Sequence, residues 1–280
     1  MKERKKVLLW LLIVAVLLAA SIFTGNHAGQ SETIQQTMRD AVLHNENRIN
    51  LLGWKAVNPG LISGFVVTAI LLIAAAVLRI FWIPRFKYVP GRCQLVLEEV
   101  VGLFDRMAKT SSPRMNRFLG AYIFGAGVYI FVGTLFELFG FQAITTAGRA
   151  ITLPAPLSDV NGAIALGCLS YVVILSGGIA GNGIKGVKAT LKEFSLPISM
   201  SFRLFGALLS GLLVTELVYY YVSLSFVVPV VVGVLFTLLH ALIQAYVLTT
   251  LTSMFYGETT EKHAPKPKKN KKIKAEAVNN

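Results

Sequence analysis

The chain has 280 residues, 54% hydrophobic and 15% charged, with a formal net charge of +13. A soluble domain of this length cannot hide that much apolar surface, so a water-soluble globular protein is excluded and a polytopic membrane protein implied. The basic excess falls in the segments between alternate apolar runs, so it reads as membrane topology and no nucleic-acid partner is required.

Residues 1–23 hold a basic start, Lys2 to Lys6, and a first apolar run, Val7 to Phe23, that ends near Ala19, Ala20 and Ser21. This run reads as a retained helix, with a cleaved secretory signal as the alternative. On either reading residues 24–60 form an external segment. Further runs follow at Leu61 to Ile83, Phe118 to Phe139, Ala163 to Ala180, Leu196 to Val222 and Phe226 to Tyr256. Most reach the roughly 20 residues that a helix needs to cross a bilayer. An amphipathic stretch, Gln94 to Lys109, stands between two of them, and residues 258–280 read as a disordered basic tail. The expected fold is an all-α polytopic membrane protein of about five to six membrane helices.

With both termini cytoplasmic, the inner segments carry four (Lys2 to Lys6), eight (Arg79 to Arg117), three (Lys185 to Lys192) and seven (Lys262 to Lys274) basic residues. The outer ones carry three (Arg39, Arg48, Lys55) and one (Arg149). Every loop then obeys the positive-inside rule. Cys93 falls in the cytoplasm and Cys168 within the membrane, which excludes a structural disulfide between them.

The last two runs are 27 and 31 residues long, about 40 and 46 Å as helices against a hydrocarbon core of about 30 Å, and so should tilt strongly. Only Ser223 to Ser225 separates them. They should form an antiparallel hairpin in which residues whose numbers sum to about 447 share a depth, and Arg203 faces Gln244. A guanidinium cannot shed its proton, so at membrane depth it needs a polar partner or cavity. Arg203 lies about 10 Å in from Leu196, beyond easy snorkelling. Gln244, His240 and Thr237 share one face of their helix; the plain alternative is polar glue between helices.

Ser201-Phe202-Arg203-Leu204-Phe205-Gly206, followed 41 positions after Arg203 by Gln244-Ala245-Tyr246-Val247, resembles subunit a of the membrane sector of rotary F-type ATP synthases. Pro156-Leu157-Ser158-Asp159-Val160-Asn161 is similar to that family's Pro-Thr-x-Asp-x-Asn segment, and Gln94 to Lys109, with Glu98 and Glu99, takes the place of its cytoplasmic surface helix. The resemblance covers about Leu61 to Gly257, and so marks residues 61–257 as the subunit a membrane domain. It implies a non-catalytic stator in a bacterial plasma membrane, without a cofactor, working with a ring of c subunits, the b subunits of a peripheral stalk and the rest of the synthase. Each c subunit brings one membrane carboxylate, and two offset half-channels join it to opposite sides of the membrane. An always-positive Arg203 favours the ionised carboxylate as it passes.

The resemblance is incomplete along the ion path. Family members usually have Asn four positions after the arginine, His or Glu nine after it, and Glu or His seven before the glutamine; here stand Ala207, Leu212 and Thr237. The polar groups would then have moved, His240 to the depth of Ala207 and Glu216 one turn beyond Leu212. With Glu137, Asp159 and Asn161 these complete the expected ion-translocation set of Arg203, Gln244, His240, Glu216, Asp159, Asn161 and Glu137. Plain alternatives are headgroup placement for Glu137 and Glu216, a turn or cap for Asp159, and a neutral core histidine for His240. The expected ion is the proton, with sodium the alternative, since ion selectivity resides mainly on the ring.

Rival classes have less behind them. No His among His27, His44, His240 and His263 begins an HExxH zinc motif, and no activated-serine motif surrounds Ser176 or Ser210. A secondary transporter would also set charge at mid-membrane beside Gly-rich helices such as Ser176 to Gly183, but would show inverted repeats, and none is apparent.

Overall fold

The computed structural model describes residues 49–51, 54–144, 150–220 and 228–260. The first apolar run, most of the external segment and most of the basic tail lie outside the described residues. In chain order come strands β1 (Ile49–Leu51) and β2 (Trp54–Val57), helices α1 (Pro59–Val77), α2 (Arg92–Ser111) and α3 (Asn116–Leu135), and strands β3 (Gln142–Ile144) and β4 (Ala150–Thr152). Helices α4 (Val160–Asn182), α5 (Ile184–Lys192), α6 (Ser195–Tyr220) and α7 (Val228–Thr260) complete the described chain. Four helical stretches, 59–85, 116–139, 160–182 and 233–260, are long and apolar enough to cross a membrane. A fifth span results if α5 and α6, bent by 49° at their junction, count as one. The all-α polytopic expectation stands.

Helix α1 begins where Asn58 caps it, its Oδ1 accepting from Gly60 N at 2.9 Å, with Pro59 at the first position where a missing N–H costs nothing. It is apolar on all sides, and only 11% of its spanning window is buried, so lipid or a partner must cover it. A π turn, Leu78–Trp82, and a short 3-10 turn, Ile83–Arg85, end it. Helix α2 is the expected amphipathic element. Leu97, Phe104 and Ala108 recur at helical spacing toward the bundle, while Arg106–Glu99 and Lys109–Asp105 pair at 2.6 Å on the exposed side.

The core sits between α3, α4, α6 and α7. Leu119, Ile123, Ala126 and Ile130 of α3 form one buried stripe, and Ala163, Leu166, Ser170, Val173, Ile174 and Gly177 of α4 another. Helix α7 packs on α3, α4 and α6. Beyond Tyr256 α7 continues through Thr259 and Thr260, because Asn182 Nδ2 donates to Thr259 O at 2.7 Å and the Ser112 and Thr260 hydroxyls meet at 3.1 Å.

Two small antiparallel hairpins, β1–β2 and β3–β4, sit at one end of the bundle. There Ile49, Val67, Phe136 and Leu153 make a second apolar cluster, distinct from the main core. At the opposite end Gly183, with φ of 58°, stops α4 in a positive-φ conformation that glycine takes at little cost and turns the chain into α5.

Candidate functional site

Met200, Leu204 and Leu208 recur every fourth residue and bury one face of α6, which packs on α4. The opposite face is therefore uncovered. Phe202 (69% exposed), Arg203, Gly206 and Ser210 lie on it, and a Cβ added at Gly206 would meet nothing within 4 Å. Among the described residues Arg203 has no ion pair and no hydrogen bond.

Gln244 is 6% exposed, beside the buried Ala241, Ala245 and Leu248 of α7. Among the described residues no hydrogen bond joins it to Arg203. The reason lies in side-chain direction. Every helical side chain leans toward its own N-terminus, so α6 side chains lean toward the Ser195 end and those of antiparallel α7 toward the Val228 end. Two residues at equal backbone depth thus part in opposite directions.

The ring of His240 lies beside Gly211, whose added Cβ would stand in ordinary contact, 3.7 Å from Nδ1. Nδ1 lies 2.7 Å from Phe236 O, and the ring stacks on Phe236 at 6.0 Å. A carbonyl only accepts, so Nδ1 is the donor of this bond.

Asp159 occupies the N-cap of α4 but makes no cap bond to that helix; its Oδ1 accepts from Asn58 Nδ2 at 3.1 Å. Asp159 and Asn161 border a cleft of about 500 Å³ together with Asn58, Thr68 and Tyr129. Glu137 is half-buried on the 3-10 turn Phe136–Phe139, which touches α7. The expected candidates therefore divide into groups: Asp159 with Asn161 in the cleft, Glu137 on a turn beside α7, and His240 against Gly211 within the hairpin. Glu216 lies on α6, but its side chain, like that of Leu212, is outside the described residues.

At the Thr260 end, Glu258 lines a mixed cavity of about 240 Å³ with Thr190, Lys192, Glu193 and Thr259, walled also by Ile174, Leu196 and Phe255. Glu193 was not a candidate in the sequence, where it sits in a short connection with no periodicity to draw attention to it. Ser253 is structural glue, donating to Ser111 Oγ at 2.7 Å and so tying α7 to the end of α2. Among the described residues no group of three or more His, Cys, Asp or Glu is placed to hold a metal ion.

Residues 63–257 match the family model described as ATP synthase A chain. Among curated proteins, the chain is similar to ATP synthase subunit a from two strains of Cereibacter sphaeroides. Each is 28% identical over 199 residues, covering 67% of this chain and 76% of the relative.

Proposed function

The chain belongs to the ATP synthase A chain family, the non-catalytic ion-channel stator of the membrane sector, and we propose that Arg203 is the fixed charge through which it couples proton flow to rotation of a c ring. The observation that carries this reading is the uncovered Arg203 on an apolar span, flanked by Gly206 and Ser210, which let another helix approach closely. A membrane carboxylate is the natural complement. Facing the guanidinium it stays ionised, so it must release its ion to one half-channel before passing and reload from the other after it. Gln244, a neutral amide one helix away, offers hydrogen bonds to a carboxylate in transit without cancelling its charge.

We assign the outer access to Asp159, Asn161, Glu137, Glu216 and His240, linked by water, and the inner access to the cavity bordered by Glu193 and Glu258. In this reading both termini are cytoplasmic, the membrane is the bacterial plasma membrane, and the b subunits of the peripheral stalk hold the chain against the turning ring. The imidazole of His240 favours the proton over sodium, since an imidazole relays protons whereas hard cations take oxygen ligands. Glu216→Gln is expected to slow ion-driven ATP synthesis at least about tenfold; synthesis at the wild-type rate would remove Glu216 from the path.

The placement of α6 is tested by cross-linking. A cysteine at Phe202, one residue from Arg203, should form a disulfide on mild oxidation with a cysteine introduced next to the membrane carboxylate of a small two-helix ring protein, in the intact complex. Absence of that product, with the complex assembled, would defeat the stator reading.

A further inference from the structure

Asn58 and Asp159 lie 101 residues apart in sequence and meet at the hairpin end of the bundle. Both ends of the Asn58 amide are committed. Its oxygen accepts from Gly60 N at 2.9 Å, and its nitrogen donates to Asp159 Oδ1 at 3.1 Å. An aspartate at an N-cap ordinarily turns back onto the free N–H groups of its own helix, where the helix dipole also draws it. Asp159 does not. Close approach of the two segments depends on Gly60, because a Cβ there would come within 2.8 Å of Asp159 Cβ. Asp159 Oδ2 has no hydrogen-bond partner among the described residues. Both residues border the cleft of about 500 Å³, in which Tyr129 is the other titratable side chain lining the wall.

We propose that Asn58 is a positioning residue for ion translocation, holding the Asp159 carboxylate off the N-terminus of α4 so that its second oxygen exchanges ions with the cleft. This deepens the outer-path reading and rests on it. Without the Asn58 donor, the carboxylate would fall back onto its own helix, engaged by fixed N–H groups and withdrawn from water. Asn58 thus serves two helices at once, starting α1 with one atom and orienting Asp159 with the other.

Two substitutions separate this role from simple capping. Asn58→Asp and Asn58→Ser both retain an N-cap oxygen for α1. Neither reproduces the donor: an ionised Asp has no proton to give, and Ser is one atom shorter than the amide nitrogen requires. In purified complex reconstituted into liposomes, with the pH on the Asp159 side varied, each variant should lower ion-driven ATP synthesis about tenfold at neutral pH, the effect of losing a hydrogen bond to a charged group. Acidifying that side should restore Asn58→Asp, since one of two facing carboxyls then protonates and donates to the other, and should leave Asn58→Ser slow. Wild-type rate and pH profile in either variant overturns the proposal. The Phe202→Cys cross-link, made in the same preparations, judges the stator reading by itself: a complex that cross-links but is indifferent to position 58 loses only the role of Asn58.

Discussion

Arg203→Ala should abolish ion-driven ATP synthesis while leaving the complex assembled. Assembly survives because the Arg203 side chain is exposed and partnerless among the described residues, so its removal opens no cavity and strands no buried acceptor. Coupling fails for an electrostatic reason. At about 4 Å and an effective dielectric of about 20, a guanidinium favours an ionised carboxylate by about 4 kcal/mol, roughly a thousandfold in the ionisation equilibrium. Without that bias a carboxylate can remain loaded while it crosses between half-channels, and ions leak without turning the ring. Reconstituted Arg203→Ala complexes should therefore conduct protons passively and make no ATP. Arg203→Lys keeps a charge but loses the planar fork and its reach, so partial coupling is expected. Undiminished synthesis by Arg203→Ala would end the account.

The membrane helices were legible because hydrocarbon imposes a length and an apolar composition that few other environments demand. The run Leu196 to Val222 became Ser195–Tyr220, and Phe226 to Tyr256 became Val228–Thr260. Arg203 was legible for the complementary reason, since a permanent charge in such a run is too costly to be incidental. What escaped is short or depends on packing. Strands of three or four residues, as in β1 to β4, are too brief to establish a two-residue alternation, and the nine residues of α5 carry three lysines and no long apolar run. Depth along a hairpin could be counted from the turn, but the opposite lean of the side chains could not. The His240 ring beside Gly211 is a contact that such counting does not give. The meeting of Asn58 with Asp159, and of Glu193 with Glu258 around one cavity, depends on how helices far apart in sequence come to lie together, and neither segment announces the other.

The contact between α4 and α7 should be the least forgiving part of the fold. Gly177 and Gly181 stand one turn apart on α4 and receive Tyr256 and Thr260, likewise one turn apart on α7. A Cβ at Gly177 would clash with Cε2, Cδ2 and Cζ of the Tyr256 ring, and Tyr256 is 3% exposed. At Gly181 the added atom would meet the backbone of Thr260 itself, 2.8 Å from its Cα. Helices without a hydrophobic drive between them rely on such close approach, so parting them forfeits both packing and the Asn182 bond to Thr259 O. Gly177→Val should cost about 3 kcal/mol or more, the upper range for overpacking a closed site. Because α7 carries Gln244 and Glu258, both assigned to the proposed ion path, a displaced α7 would move that path as well. The expected result is a chain that fails to assemble, with the amount of intact complex in membranes reduced at least about tenfold. Gly125→Val on α3, where an added Cβ meets nothing within 4 Å, is the matched control and should assemble normally. Equal amounts of complex from the two variants would show that α4 and α7 do not depend on this approach.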